Sequence, residues 1–254
     1  MEVLVVGNTA YVDDDFCAKA FPGDHVKVVA AAEARRDESS PHASWKELLQ
    51  HLDQAYEFDR VVYLSNYLTP HTDSVGDIEL LRSVFRACAG RRVQLLYVAG
   101  PAGAEGAADA AGRTGKGIIA HAANDLCRYY AAREGVQTKI LRVPFLYTAS
   151  AALEDPFLVP LFDACSTGSV ALQGAQDAAF PLLCAEELSV LVRRIFDSWD
   201  GNFETLDVAD TFHHTAGEVG EALQALFPGL SVAYGDSAGY ALPASDVARV
   251  RYGW

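Results

Sequence analysis

Glu2-Val3-Leu4-Val5-Val6-Gly7, running into Asn8-Thr9-Ala10-Tyr11-Val12-Asp13-Asp14-Asp15, is the stretch that decides the fold of this chain. An unbroken aliphatic run closed by glycine predicts a strand buried on both faces and ending in a tight turn. A short helix pattern follows over 13–21. Strand, glycine and helix start make up a βα turn that aims backbone N–H groups and the positive end of a helix dipole at a phosphate. Glycines permit the close approach. Of the spacing G-x-x-G-x-x-G only Gly7 is kept, with Ala10 and Asp13 in the other two places. A carboxylate at the helix start caps it well and repels a pyrophosphate. The frame is that of a nucleotide fold, and its phosphate seat is altered.

At 254 residues, half of them apolar, the chain is long enough for one large domain, or one domain with an appendage, around a substantial core. Its apolar runs are far shorter than a membrane span. The N-terminus opens on strand sequence and shows no signal-peptide pattern. Cys17, Cys88, Cys127, Cys165 and Cys184 are odd in number and scattered, which fits small buried thiols in a reducing cytoplasm. A formal charge of −14 argues against a nucleic-acid backbone or an anionic membrane as partner. It leaves room for a small phosphorylated ligand, whose binding is decided by local donors.

Strand patterns at 2–7, 25–30, 59–64, 93–98 and 138–143 alternate with helical stretches near 13–21, 44–55, 74–90 and 116–134. Such alternation predicts right-handed crossovers and a parallel sheet covered on both faces. Val75, Ile78, Leu81, Val84, Phe85 and Cys88 form one stripe along the helix over 74–90. The glycine- and alanine-rich stretch from Ala99 to Gly117 reads as a loop above the carboxyl edge of the sheet, where open α/β sheets place ligands. After Tyr147 the rhythm changes. Helices are expected over 155–165, 186–196 and 215–227, with short strands at 169–172 and 204–208.

Several segments along the whole chain, in their order and spacing, resemble the extended short-chain dehydrogenase/reductase family, the NAD-dependent epimerases and dehydratases of nucleotide sugars. Asp59-Arg-Val-Val-Tyr-Leu-Ser-Asn66 is similar to the family's fourth strand, which faces the cofactor. Thr138-Lys-Ile-Leu-Arg-Val-Pro-Phe-Leu-Tyr147 resembles its "LRxxxxYG" strand, and Leu182-Leu-Cys-Ala-Glu-Glu-Leu188 its "FVHVDDL" segment. Glu204-Thr-Leu-Asp-Val208 resembles "xxYNV", and Ala248-Arg-Val-Arg-Tyr-Gly-Trp254 resembles "ARxxLGW". The resemblance implies an α/β chain with a Rossmann-like doubly wound parallel sheet over residues 1–147. A small C-terminal α/β lobe, 148–254, would pack on it as one unit.

The family's chemistry needs a glycine-rich turn, a ribose-binding residue after the second strand, and a Ser/Thr with Tyr-x-x-x-Lys. In the second place stand Ala30-Ala31-Ala32, with Glu33, Arg35 and Arg36 just beyond. The family serine falls at Ala99 or Gly100, the tyrosine slot on Lys116 and the lysine slot on Ala120. Losing a general acid/base typically costs ~10²–10⁴ in rate. The expectation is therefore a degenerate member that binds no cofactor and acts as an accessory, regulatory or scaffolding subunit. The alternative is an NAD- or NADP-dependent epimerase, dehydratase or reductase with a rebuilt site. Lys116, His121 and Tyr147 are then the candidate acid/base groups, since an imidazole titrates near neutral pH and a tyrosine is the family's proton carrier. Gly7, Thr9, Ala10, Leu64, Ala99 and Pro144 mark the vestigial cofactor positions. Helices 74–90 and 116–134 correspond to the family's dimer surface, so a homodimer or a protein partner is expected there, with a small-molecule ligand as a further candidate.

Other constellations carry less. His213 and His214 are adjacent and, in extended chain, point to opposite faces, which argues against a shared metal. Thr114-Gly115-Lys116-Gly117 lacks phosphate-loop spacing, because residue 110 is alanine and residue 117 glycine. Asp13, Asp14 and Asp15 fit helix capping better than cation binding. No metal is expected.

Overall fold

The opening apolar run forms β1 (Glu2–Gly7), buried from Val3 onward. It is followed by α1 (Asp14–Ala20), β2 (His25–Ala30), β3 (Arg60–Leu64), α2 (Ser74–Cys88), β4 (Gln94–Ala99), α3 (Gly115–Arg133) and β5 (Gln137–Arg142). The computed structural model describes residues 1–7, 11–30, 58–65, 74–100, 115–148, 158–172, 174–180, 182–208, 214–236 and 247–253. The helix expected over 44–55, most of the loop over 99–117, Thr9, Ala10, Glu33, Arg35, Arg36 and His213 lie outside the described residues, as does the side chain of Lys116.

Beyond β5 come β6 (Phe145–Tyr147), α4 (Leu158–Ser166), β7 (Ser169–Leu172), β8 (Leu182–Cys184), α5 (Ala185–Asp197), β9 (Phe203–Asp207), α6 (Ala216–Leu226), β10 (Ser231–Tyr234) and α7 (Val247–Tyr252). Six strands form one sheet in the order β2-β1-β3-β4-β5-β9, every neighbouring pair parallel. The chain goes outward from β1 to β2, then returns past β1 to β3. Strand order therefore reverses between β1 and β3, and the carboxyl ends of those two strands form the switch point where this architecture opens a crevice.

Side chains alternate across the sheet, so the inner strands β1, β3, β4 and β5 feed two cores. Leu4, Val6, Val61, Leu95 and Ile140 face α2 and α3, whose Leu81, Val84, Phe85 and Cys127 cover them. Val3, Val5, Val62, Leu96 and Leu141 face α1, α5 and α7. In α5 the buried positions Leu188, Leu191, Val192, Ile195 and Phe196 recur at helical spacing and form the stripe laid on that face. The sixth strand and the helix before it thus come from the second half of the chain. A third core lies between the β7–β10 pair and helices α4 and α6, around Cys165, Leu172, Phe180 and Leu223. Thr215 opens α6 with a capping box, its hydroxyl accepting from Glu218 N–H while the Glu218 carboxylate accepts from Thr215 N–H.

Candidate functional site

Gly7 ends β1 with φ +109° and stands in register with Leu64 at the end of β3. A side chain there would collide with the Leu64 carbonyl oxygen. The glycine is thus required by the approach of the two strands at the switch point, quite apart from any ligand. Leu64 is buried, and Ser65, wholly buried, extends the ladder by donating its N–H to Val98 O at 2.9 Å. Ala99 ends β4 in register with Arg142, and its carbonyl accepts from Val143 N–H at 2.9 Å. Pro144 is buried directly after. Gly7, Leu64, Ala99 and Pro144 therefore line one carboxyl edge.

The start of α1 is occupied from within. Asp13 is its N-cap, and Oδ1 accepts from Phe16 N–H at 2.7 Å. Asp14 and Asp15 follow in the first turn, and Asp15 holds Lys19 at 2.5 Å. The helix is seven residues long and begins seven residues after Gly7. One of the donors that a pyrophosphate would use at this end, the N–H of Phe16, is met by a carboxylate.

A second group lies beyond the sheet, where β6 carries the chain outward and pairs with β8. Tyr147 and Cys184 are partners in that register. The Cys184 thiol donates to Glu186 Oε2 at 2.5 Å, so its sulfur is the acceptor toward the Tyr147 hydroxyl. Thr148 Oγ1 donates to the other Glu186 oxygen at 3.4 Å. Burial first, then the neighbouring Cys184 and Glu187, push the Tyr147 phenol above its ordinary value. Burial and the Glu186 carboxylate do the same to the Cys184 thiol. A neighbouring cation would favour the phenolate; here the field has the opposite sign. Tyr147 is a hydrogen-bond donor at neutral pH and a poor base.

Arg142, at the end of β5, donates Nη2–H to Asp207 Oδ2 at 2.7 Å, with Nε 2.6 Å from Oδ1. That pair ties β5 to β9 at the same edge. His121 sits on α3, half-buried, about one and a half turns from the helix start. The structure thus brings Tyr147 together with Cys184, Glu186 and Thr148, three residues that the site reading of the sequence does not include. Their signal was faint: a three-residue strand has no period to detect, and only the resemblance of 182–188 to a family segment pointed there. Among the described residues no group of three His, Cys, Asp or Glu side chains could hold a metal ion, and no helix is long and apolar enough to cross a membrane.

No protein-family model and no curated protein matches the sequence. Solved structures do match along the whole chain. The dTDP-glucose 4,6-dehydratase DesIV of Streptomyces venezuelae, solved with NAD and TYD bound, superposes with a TM-score of 0.73 at 13% identity, covering 98% of this chain and 90% of that one. MoeE5 in complex with UDP-glucuronic acid and NAD gives 0.73 at 17% identity, over 100% and 93%. The UDP-N-acetylglucosamine 4-epimerase of Bacillus cereus gives 0.66 at 13%, over 100% and 90%. The Rossmann-like α/β fold implied by the resemblance to extended short-chain dehydrogenases is the fold this chain has.

Proposed function

We propose that this chain binds a nicotinamide dinucleotide and a nucleotide sugar across the carboxyl edge of its sheet. It would act there as an NAD(P)-dependent epimerase, dehydratase or reductase with a rebuilt acid–base set. The observation that carries the reading is the switch point itself: Gly7 turning out of β1 against Leu64, in a fold shared end to end with proteins solved with NAD and nucleotide sugars. The strand ends fit such a cofactor. Gly7, Leu64 and Ala99 would hold it by close backbone approach, as the fold does elsewhere. When bound, it supplies the acceptor or donor of a hydride.

The chain's own groups then divide the remaining work. Tyr147, kept protonated, would turn its one O–H from the Cys184 sulfur to a sugar oxygen. Proton abstraction falls to a group on α3, with Lys116 and His121 as the candidates. Asp13 weakens the hold on the pyrophosphate, since a carboxylate already caps the helix that would greet it.

That last feature, with Ala99 or Gly100 in the family's serine place, favours a second reading: a catalytically silent subunit that works beside an active partner. Calorimetry and thermal shift with NAD⁺, NADP⁺, NADPH, UDP-glucose and dTDP-glucose separate the two. At ligand about 100-fold above Kd the stabilisation is about 2.7 kcal/mol, or roughly 5–10 °C for a chain of this size. Saturable binding of a dinucleotide, with turnover of a nucleotide sugar, is the expected result. No shift with any of them sinks the first reading. Asp13→Asn, which keeps the cap and removes the charge, is expected to tighten dinucleotide binding several-fold; an unchanged Kd would refute the role given to Asp13.

A further inference from the structure

A cluster of two cations and two carboxylates lies away from the carboxyl edge and is used by nothing proposed above. Lys139, third residue of β5, is sunk in the sheet with its side chain 1% exposed. Its ammonium donates to Glu204 Oε2 at 2.5 Å, to Asp200 Oδ1 at 3.1 Å and to the Tyr252 hydroxyl at 3.3 Å, and lies 5.3 Å from the centre of the Trp199 ring. Arg251 of α7 closes the ring of charges from outside. Its Nη2 reaches both Asp200 oxygens, at 2.6 and 2.5 Å, and its Nη1 donates to Glu204 Oε1. Arg194 of α5 donates to the carbonyls of Tyr252 and Gly253, capping the end of α7.

These groups differ sharply in access. Lys139 is out of reach of solvent ions, whereas Arg251 and Asp200 are 38% and 61% exposed. Salt screens the outer pair and barely touches the inner one. α7 has six residues, too few for a helix to persist on its own. What holds it is Ala248 and Tyr252 in the core, Arg194 at its end and Arg251 on the carboxylates.

We propose that α7 is an ionic strap. Arg251 is its releasable hook, and Lys139, with Glu204, is the fixed anchor that remains in the sheet when the strap lifts. Release uncovers Trp199 and the apolar seats of Ala248 and Tyr252 on the α5–β9 side, while the sheet beneath stays formed. The proposal is independent of the activity assigned to the carboxyl edge.

Hydrogen exchange on the full chain, read by mass spectrometry, tests it. At 20 mM salt the amides of 247–252 are expected to exchange at least tenfold faster in Arg251→Ala than in the wild type, with 203–207 unchanged. Raising NaCl to 0.5 M is expected to bring the wild type to the variant's rate and to leave the variant nearly unmoved. Arg251→Lys, which keeps the charge and loses the two-pronged grip, should fall between them. Equal protection in Arg251→Ala and wild type at 20 mM salt overturns the proposal. So does exchange of 247–252 and 203–207 rising together, because α7 would then open only with the sheet.

Discussion

Gly7 shows how one residue can carry two requirements. Its position in the opening motif points to a phosphate, while in the structure its left-handed φ of +109° and the Leu64 carbonyl beside it already forbid a side chain. The substitution Gly7→Ala therefore meets both backbone strain and a collision with main chain that cannot rotate away. A loss of roughly 2–4 kcal/mol is expected in urea unfolding, with no ligand present. A loss under half a kcal/mol would mean the two strands part easily at the switch point. Asp13 is the converse case, a residue whose sequence reading was complete. Replacing it with alanine removes the cap on Phe16 N–H and is expected to cost about 1 kcal/mol, whereas Asn, which caps as well, should cost almost nothing. Equal losses in the two variants would show that charge, not the cap, is what Asp13 contributes.

Among the elements, strands β1 to β5 were legible to within one residue, most plainly β1, β3 and β4, where burial on both faces makes an apolar run. α2 was legible from its stripe, and Ile78, Leu81, Val84, Phe85 and Cys88 do face the core. β6 and β8 were not: three residues each, they are strands only because they meet across 34 intervening residues, and no local pattern encodes that meeting. The Tyr147 group was hidden for the same reason, as was the cause of Gly7, which lies 57 positions away at Leu64. The pairing of β5 with β9 has a measurable electrostatic consequence. Burial pulls the Lys139 ammonium down, but Glu204, Asp200 and Tyr252 outweigh it and hold it above its ordinary value. Asp200, hydrogen-bonded by Lys139 and Arg251, is held below its own. The Asp200 contribution is present above about pH 4 and lost as pH falls from there; the Lys139 contribution is present below about pH 10.4 and lost as pH rises beyond it. Glu204→Ala, which strips a buried ammonium of its nearest partner, is expected to cost about 3 kcal/mol, and Lys139→Met about 1 kcal/mol or less, because Arg251 still serves both carboxylates. Urea midpoints across pH 3 to 11 check both; a larger loss in Lys139→Met than in Glu204→Ala contradicts the account.

At the scale of the whole molecule, the question is whether residues 1–147 can stand without the rest. The core on the α1 face is shared. Val3, Val5, Val62, Leu96 and Leu141 come from the first half, but much of what covers them, Leu188, Leu191, Ile195 and Phe196 of α5 and Tyr252 of α7, comes from the second. β9 adds the sixth strand and carries the carboxylate that answers Lys139. Cutting after Tyr147 would bare an apolar sheet face well beyond the few hundred Å² that a monomer tolerates and leave a buried cation with neither of its carboxylates. We expect the full chain to unfold in urea in one transition, with near- and far-ultraviolet circular dichroism coincident. The fragment 1–147, expressed alone, is expected to bind the dye ANS and to melt without a cooperative transition, the signature of a chain with secondary structure but no fixed packing. A fragment that unfolds cooperatively, with native near-ultraviolet signal and no dye binding, would show that the first half is a domain in its own right. The second half would then be an attachment, and any ligand at the carboxyl edge could be held by residues 1–147 alone.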